Sequence, residues 1–294
     1  MANRRAIVKR RKAVRNIKKI TRTMQLIATA RFQAAMNRAI ATRPYTDKLA
    51  ELVADLSGVA EDFRHPLLET SSASAGRSAL ISLTSNRGLC GGYNANIVRL
   101  SLSHIDQRAA EGETVEPYVV GNKGASAFRF RRREVHKVIN DVDDKPRFDQ
   151  VEPLAQELIE RFVAGELSSV HVAYTRFYSA GRQEAELIQL LPLVQETSGE
   201  GESEEASTKG SYEIRPSAEE LLNKLLPASV RMRLFQSFND AAVSEQIARM
   251  AAMKAATEAA DEMIGNLTRE YNRARQSQIT LELLDIVGGA NALA

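Results

Sequence analysis

The chain lacks the cysteine pairs of disulfide-bonded extracellular proteins and the long apolar runs of membrane-spanning proteins. Its 294 residues include one cysteine and no tryptophan, and aromatic residues make up 5%. A single cysteine, Cys90, cannot form a disulfide within the chain, which favours a reducing compartment. No run approaches the roughly 20 apolar residues of a membrane-spanning helix, and the N-terminus lacks the apolar core of a signal peptide. Few aromatic residues and many Ala, Leu, Arg and Glu residues favour long helices over a large globular core.

Negative charge is missing from the start of the chain. No Asp or Glu precedes Asp47, whereas 13 Lys or Arg residues do, although the whole chain carries a net charge of only +3. This asymmetry favours a partner for the basic end. A solvated helix face, an acidic protein and a nucleic acid remain open as explanations. Phe32 is the only aromatic residue before Tyr45, so a nucleic acid would find little base stacking.

Proline is absent from two long segments, 2–43 and 228–287, and we predict that each is a helix. Pro44 is expected to end or bend the first helix, and a weaker helical pattern follows until Gly58. A capping-box pattern at Ser217 starts a helix, with Pro227 at a turn or kink. Two helices that flank a whole domain can meet only by folding back antiparallel.

Apolar residues recur at heptad spacing in both terminal segments. In the first helix the seam positions are Ile7, Arg10, Val14, Ile17, Thr21, Met24, Ala28 and Arg31. In the last helix they are Val243, Gln246, Met250, Met253, Thr257, Ala260, Ile264, Leu267, Tyr271, Ala274, Gln278 and Leu281. Several positions are small or polar, which permits close packing without specifying a very stable dimer.

The middle of the chain alternates strand and helix patterns. We predict strands at 79–84, 115–121, 135–139, 169–175 and 186–194, the last as an edge or hairpin arm. Helices are predicted over 95–108, up to Phe130, and over 151–163. This alternation favours βαβ units around a mainly parallel sheet. The predicted organisation is an N-terminal coiled-coil helix (1–60), an α/β, Rossmann-like head (75–195), an acidic loop (196–212) and a C-terminal coiled-coil helix (213–294).

The segment from Ser85 to Asn94 is a Gly-rich turn between a strand and a helix. Such a turn can hold phosphate on backbone N–H groups, but this one lacks the Lys-Ser/Thr of a P-loop and is not GxGxxG. We therefore favour a tight structural turn over a small nucleotide-binding enzyme. Cys90 has no nearby base, and the four histidines, at positions 65, 104, 136 and 171, show no metal-ligand spacing. A second basic cluster is formed by Arg129, Arg131, Arg132 and Arg133.

Five blocks of residues resemble one family. They are the first-helix segment 17–24 (IKKITRTM), the turn 85–94 (SNRGLCGGYN), the segment 244–257 (SEQIARMAAMKAAT), and 271–283 (YNRARQSQITLEL) with the ending 286–290 (IVGGA). In this order and over nearly the whole chain, they closely resemble the gamma subunit of F-type ATP synthase.

The resemblance implies a central rotor shaft without catalytic residues, cofactor or metal. Its terminal helices would form an antiparallel coiled coil inside a hexamer of alpha and beta subunits, and its α/β head would face the epsilon subunit and the c-subunit ring. The shaft would couple proton-driven rotation of the ring to ATP synthesis, and the reverse, at the catalytic beta subunits. A peripheral position on the cytoplasmic face of a bacterial cell membrane is expected, with no nucleic-acid partner.

The resemblance also implies contact residues. Arg275 and Gln276 match the family's contacts with the beta catch loop. Thr280 and Glu282 lie a turn or two further on and belong to the same region, and Met24 lies in the matching part of the first helix. Tyr212 and Glu213 resemble the segment that contacts the c ring and epsilon.

Overall fold

The computed structural model describes residues 4–59, 65–69, 76–142, 144–193 and 217–293. These residues form two compact units. Residues 1–30 together with 249–294 form the helix-pair unit, and residues 31–248 form the head unit. The acidic loop and the predicted ring contacts Tyr212 and Glu213 lie outside the described residues, so those predictions stay open.

The head unit contains a five-stranded sheet whose order is β3-β2-β1-β4-β5. The strands are β1 (Arg77–Leu83), β2 (Thr114–Val120), β3 (Lys137–Ile139), β4 (Ser169–Ser179) and β5 (Arg182–Leu191). β1 pairs in parallel with both β2 and β4, and β2 pairs in parallel with β3. β5 is the antiparallel edge strand beside β4. The prediction of a mainly parallel sheet with an edge hairpin arm is confirmed.

Five helices accompany the strands in the described residues. They are α1 (Arg4–Val59), α2 (Tyr93–Ala110), α3 (Asn122–Phe130), α4 (Phe148–Val163) and α5 (Ala218–Leu293). None of these described helices is both long enough and apolar enough to cross a bilayer.

Both faces of the sheet are covered, which explains why six of the seven β1 residues are buried. Ile81 and Leu83 pack with α4 and with the part of α5 that belongs to the head unit. Leu80 packs on the other face with residues of α2, including Ile97. In α4, the buried residues Val151, Leu154, Ala155, Leu158, Ile159 and Phe162 follow helical periodicity.

Proline does not end either terminal helix, so the predicted end at Pro44 and turn at Pro227 are wrong, whereas a bend or kink at these prolines stays a prediction. α1 continues through Pro44 to Val59, and α5 begins at Ala218 and continues through Pro227. A proline inside a helix costs about 3 kcal/mol because one backbone hydrogen bond is lost and the ring crowds the preceding turn. Packing in the head unit offsets this cost: Leu49 is buried in α1, and Leu222, Leu226, Val230 and Leu234 are completely buried in α5.

The ends of α5 differ in how well the sequence predicts them. The Glu220 backbone N–H donates to Ser217 Oγ over 3.2 Å, which is the predicted N-cap contact. The predicted end at Val287 is wrong, because the helix continues to Leu293 through Gly288 and Gly289. Glycine weakens a helix by only about 1 kcal/mol relative to alanine and so does not forbid its continuation.

In the helix-pair unit, α1 and α5 pack against each other in opposite directions. Thr257 Oγ1 donates to Thr21 Oγ1 over 2.8 Å, and Lys18 forms an ion pair with Asp261. Nearer the start of the chain, Ile7 and Val14 pack in one cluster with Ala260 and Leu267. Residue numbers thus rise along one helix as they fall along the other, and the two ends of the chain meet as expected.

The heptad prediction is only half right for α1. Ile7, Val14, Thr21 and Ala28, spaced seven residues apart, are buried. Ile17, predicted to lie in the same seam, is 52% exposed, and Arg10 is also exposed. Met24 and Arg31, the other two predicted positions of this set, are half-buried. In α5 the predicted seam is buried or half-buried through Ala274, but Gln278 and Leu281 are exposed.

Candidate partner-contact site

The predicted contact residues of α5 lie on two neighbouring faces of an exposed helical segment. Arg275 and Glu282 are seven residues apart and share one face, whereas Gln276 and Thr280, four apart, share the next. All four are exposed. Gln276 follows the buried Leu267 by nine residues, half a helical revolution at 100° per residue. The Gln276 face is therefore turned away from the packed seam and available to a partner.

Only local contacts hold these side chains in place among the described residues. Thr280 Oγ1 donates to the Gln276 carbonyl over 3.0 Å, and Gln278 Nε2 donates to Glu282 Oε1 over 2.8 Å. The structure gives the side chains of Arg275 and Gln276 no hydrogen bond or ion pair within the described part of the chain. Their donors and acceptors are free to bind another molecule.

The same stretch of α5 exposes many large apolar side chains. Ile279, Leu281, Leu283, Leu284, Ile286 and Val287 are between 46% and 68% exposed. Contiguous exposed apolar surface is uncommon on soluble monomers and indicates an interaction site. The predicted polar contacts are thus embedded in an apolar segment of the kind that a partner would cover.

Met24, the contact residue predicted in α1, is half-buried and lies beside a shallow apolar depression. Lys19, Ile20 and Thr23 line this depression with it. Ile17, Ile20 and Ile27 expose 49–58% of their surface on this part of the helix. The i, i+3, i+7 and i+10 spacing from Ile17 through Met24 to Ile27 makes an apolar stripe on α1.

The two units differ in net charge. The helix-pair unit contains 15 Lys or Arg and six Asp or Glu residues, a net charge of +9 within a chain of +3. Arg11 lies over the Tyr271 ring at 5.1 Å, and Arg4 does so at 5.8 Å. These cation–π contacts engage two of the basic groups, and most of the others are exposed. An acidic protein surface is the partner that such a charge distribution favours.

The Gly-rich turn of the head unit is held by groups of its own chain. Asn94 Oδ1 accepts from the Ser85 backbone N–H at 2.9 Å, and Asn94 Nδ2 donates to Cys90 Sγ at 3.1 Å. Asn86 connects the turn to neighbouring segments, accepting from the Asn122 backbone N–H at 3.1 Å and donating to the Val142 carbonyl at 3.1 Å. These contacts support the interpretation of a structural turn.

The carboxyl end of the parallel strands, where doubly wound proteins bind ligands, is occupied by α5. Phe238, Ala241 and Ala242 lie against Leu83 and Thr84 of this edge. They leave a cavity of about 40 Å³, whereas small-molecule sites usually measure about 300 to 1,000 Å³. The described residues thus leave no room here for a nucleotide. They also contain no group of three or more His, Cys, Asp or Glu residues arranged to hold a metal ion.

Sequence reasoning missed one pair of histidines. His104 of α2 and His171 of β4 are 67 positions apart in the chain, yet their ring centroids are 4.6 Å apart and both residues are buried. Burial lowers the pKa of His171 to about 4, with a smaller effect of His104, and burial also lowers the pKa of His104. Only the parallel sheet topology brings the two residues together, so no local pattern could reveal them.

The buried pair predicts acid sensitivity of the head. Because the folded-state pKa of His171 lies below the unfolded value, the unfolded chain binds more protons between about pH 6.5 and pH 4, and stability falls as pH falls through that window. We expect His171 alone to lower the free energy of unfolding by about 2 kcal/mol between pH 7.5 and pH 5. Urea unfolding at the two pH values, compared between the wild type and His171→Asn, measures this difference.

That comparison is needed because another buried group has the opposite effect. Burial raises the pKa of Asp240 to about 6, so its contribution to stability is present at low pH and lost as pH rises. The contribution of Asp240 cancels when wild type and His171→Asn are compared at the same pH. An equal pH dependence in both proteins would contradict the assignment to His171.

Comparisons with known proteins identify the family. A sequence model of the family described as ATP synthase matches residues 3–293. The ATP synthase gamma chain of Rhodopirellula baltica is 45% identical over 298 residues, covering 100% of this chain and 99% of the relative. The chain belongs to the ATP synthase gamma chain family. The gamma chain of Leptospira biflexa is 39% identical over 300 residues, with both chains covered completely.

Solved structures share the fold. A chain from the Euglena gracilis mitochondrial ATP synthase, described as OSCP/F1/c-ring in rotational state 3, has a TM-score of 0.63 at 18% identity. The match covers 99% of this chain and 94% of the Euglena chain. A chain from the central stalk and c-ring of the Tetrahymena thermophila mitochondrial ATP synthase has a TM-score of 0.56 at 20% identity, covering 81% of this chain and 99% of that chain.

Proposed function

We propose that the chain is the central rotor shaft of an F-type ATP synthase. It couples proton-driven rotation of a c-subunit ring to ATP synthesis, and the reverse, at catalytic beta subunits, and it contributes no catalytic residue itself. The α1–α5 pair acts as an antiparallel coiled coil within the hexamer of alpha and beta subunits. The head faces the epsilon subunit and the ring on the cytoplasmic side of a bacterial membrane, to which the chain is peripheral.

One observation carries this proposal beyond family membership. The helix-pair unit leaves polar contact residues and large apolar side chains exposed along α5, from Arg275 to Val287, while its own seam is packed. A free protein would leave such a segment in water at a considerable cost. Insertion of the helix pair into a ring of other subunits would bury this segment.

The composition of the surface suits a shaft that must turn. Exposed basic groups attract acidic partner loops, but each screened ion pair contributes only about 0 to 1 kcal/mol. Contacts of this size can break and re-form at successive orientations. Coupling then arises because the shaft makes different contacts with each beta subunit, which changes the affinity of that subunit for nucleotide.

Assembly is the first test of the proposal. We expect the chain to co-purify with alpha and beta subunits in a complex that contains one copy of it, and we expect ATP turnover of the complex to depend on its presence. The isolated chain should not hydrolyse ATP. Failure to assemble, or hydrolysis by the isolated chain at the rate of the complex, would refute the proposal.

The proposed catch-loop contact predicts a defect in coupling. Arg275→Ala or Gln276→Ala should lower steady-state turnover and ATP-driven proton pumping about two- to fivefold, because a screened exposed contact contributes about 0.5 to 1 kcal/mol. Both residues are exposed, so the unfolding midpoint of the chain should not change. Arg269→Ala is the matched control, since Arg269 is an exposed arginine of the same helix that bonds locally to Asn266. Normal pumping by both variants would contradict this contact.

A further inference from the structure

The turn that follows α3 carries an exposed aromatic ring between arginines. Phe130 is 87% exposed, the largest exposure among the large apolar side chains of the described residues. Arg129 precedes it, Arg131, Arg132 and Arg133 follow it, and all four are exposed. From Asn122 to Val138 the chain has six Lys or Arg residues and one acidic residue, Glu134. None of the contact residues named for the rotor belongs to this surface, which we call the Phe130 turn (residues 129–133).

Most of the positive charge on the Phe130 turn is not neutralised by the chain. Arg133 pairs with Asp106 at 2.5 Å. Within the described residues, Arg129, Arg131 and Arg132 have no carboxylate within ion-pair distance. Basic groups stabilise a helix C-terminus through the helix dipole, but that effect needs neither this many arginines nor an exposed phenylalanine.

The backbone of the turn gives a second, independent observation. The Arg133 N–H donates to the Phe128 carbonyl at 3.0 Å, which closes the end of α3, and Arg132 adopts φ 55°. This left-handed position after a helix usually holds glycine, because other residues are strained there. An arginine is present instead, so the sequence adds a cation at the one position of the turn where the backbone disfavours it.

The fold places the Phe130 turn at one end of the sheet. α3 begins beside Thr84, whose Oγ1 accepts from the Gly124 N–H at 2.9 Å, and it runs back from the carboxyl ends of the strands. Its C-terminus therefore lies toward the amino ends of the parallel strands. Leu193 is the last described residue before the acidic loop, and its N–H donates to the Leu67 carbonyl. It follows the end of β5, and this end of β5 pairs with the start of β4. The Phe130 turn is thus on the opposite end of the head from the Gly-rich turn.

We propose that the Phe130 turn is a contact site for an anionic phospholipid surface, with the arginines on lipid phosphates and the Phe130 ring at the headgroup boundary. Guanidinium groups bind phosphate oxygens through paired hydrogen bonds. Aromatic rings flanked by basic residues are typical of segments that lie at a membrane interface. Arginine occupies four of the five positions of the turn, and clusters of about four to eight basic residues on an amphipathic segment are typical of anionic-lipid contacts. The proposal goes beyond the rotor function and does not require assembly.

The absence of tryptophan from the chain makes a local test possible. In the full-length chain, Phe130→Trp introduces a single indole at the turn. With vesicles of phosphatidylcholine and phosphatidylglycerol, we expect its emission to shift to the blue and to be quenched by brominated lipids. Vesicles of phosphatidylcholine alone should have little effect. Tyr45→Trp is the control, because Tyr45 is also exposed but belongs to α1 and not to this turn.

Charge variants in the Phe130→Trp background measure the role of the arginines. Arg129→Ala, Arg131→Ala and Arg132→Gly together should raise the lipid concentration required for the spectral shift about 100-fold, since each basic residue near an anionic surface contributes a factor of about five. Arg132→Gly suits the backbone at φ 55° and should not destabilise the fold. The matched control removes the same charge elsewhere on the head: Arg99→Ala, Lys145→Ala and Arg147→Ala.

The outcomes separate the possibilities. No shift and no quenching of the Phe130→Trp indole by anionic vesicles would overturn the proposal, as would an equal response of the triple variant and its control. A response to polyglutamate but not to vesicles would overturn it in favour of an acidic protein partner. The measurement uses the unassembled chain, so none of these results bears on the rotor function, which the co-purification tests separately.

Discussion

Gly124→Val is expected to destabilise the head strongly. A Cβ atom at Gly124 would lie 2.4 Å from Thr84 Oγ1 and 2.7 Å from Val119 Cγ1. Real side chains do not tolerate such distances, so α3 would have to move away from β1 and β2. That movement would also break the bond between the Gly124 N–H and Thr84 Oγ1, which is buried.

We expect a loss of about 3 to 5 kcal/mol in the free energy of unfolding, from overpacking together with the lost hydrogen bond. This is a large part of the 5 to 15 kcal/mol that typically stabilises a protein. Urea unfolding followed by circular dichroism, together with the soluble yield, measures the change.

Gly265→Ala is the control for the glycine experiment. A Cβ atom at Gly265 would meet nothing within 4 Å, and the residue lies within α5. Replacing glycine by alanine in a helix should therefore increase stability, by up to about 1 kcal/mol. If Gly124→Val unfolded at the same urea concentration as Gly265→Ala, the close approach of α3 to the sheet would be refuted.

Leu267→Asp is expected to open the helix-pair unit. Leu267 is 4% exposed and packs with Ile7, Val14 and Ala260. The substitution removes this apolar contact and places a carboxylate in the seam, a change of about 3 to 5 kcal/mol. Because Leu267 packs only within the helix-pair unit, the loss of stability should be confined to that unit. We therefore expect α1 amides near Ile7 and Val14 to lose hydrogen-exchange protection, while the amides of the head sheet keep theirs.

Leu281→Asp is a matched substitution on the same helix with a different expected result. Leu281 is 46% exposed, so the exchange protection of the helix pair should not change. If the exposed part of α5 is covered by partner subunits, Leu281→Asp should still weaken assembly with alpha and beta subunits, by about tenfold or more for a buried apolar contact. Equal exchange protection in both variants would contradict the described seam. Unchanged assembly of Leu281→Asp would contradict coverage of this segment.

Local patterns in the sequence were sufficient to predict the strands and most helices. Short apolar runs such as 79–84 predict buried strands, and the alternation with helices predicts the parallel sheet that the structure shows. These features depend on neighbouring residues, which a sequence displays directly. The antiparallel meeting of α1 and α5 also follows from sequence, because two helices on either side of a domain have no other simple way to pack.

Features that depend on packing were predicted less well. Pro44 and Pro227 are strong breaking signals, yet both helices continue through them with buried apolar residues on either side of each proline. Ile17 fits the heptad as well as Val14 does, yet Val14 is buried and Ile17 is 52% exposed. The His104–His171 pair depends on where β4 lies relative to α2, which no spacing encodes. The exposure of the α5 segment after Arg275 could not be predicted from local sequence, because it depends on where the packed seam ends along the helix.

The pairing of the two chain ends has a consequence for biosynthesis. Thr21 and Thr257 bond to each other although they are 236 positions apart, so α1 leaves the ribosome long before its partner exists. At about 5 to 20 residues per second, the interval is roughly 10 to 50 s. During that time the apolar side chains Ile7 and Val14 have no seam to enter. We expect the high density of basic residues around them, uninterrupted by any acidic residue before Asp47, to disfavour association of nascent α1 segments by mutual repulsion until α5 is made.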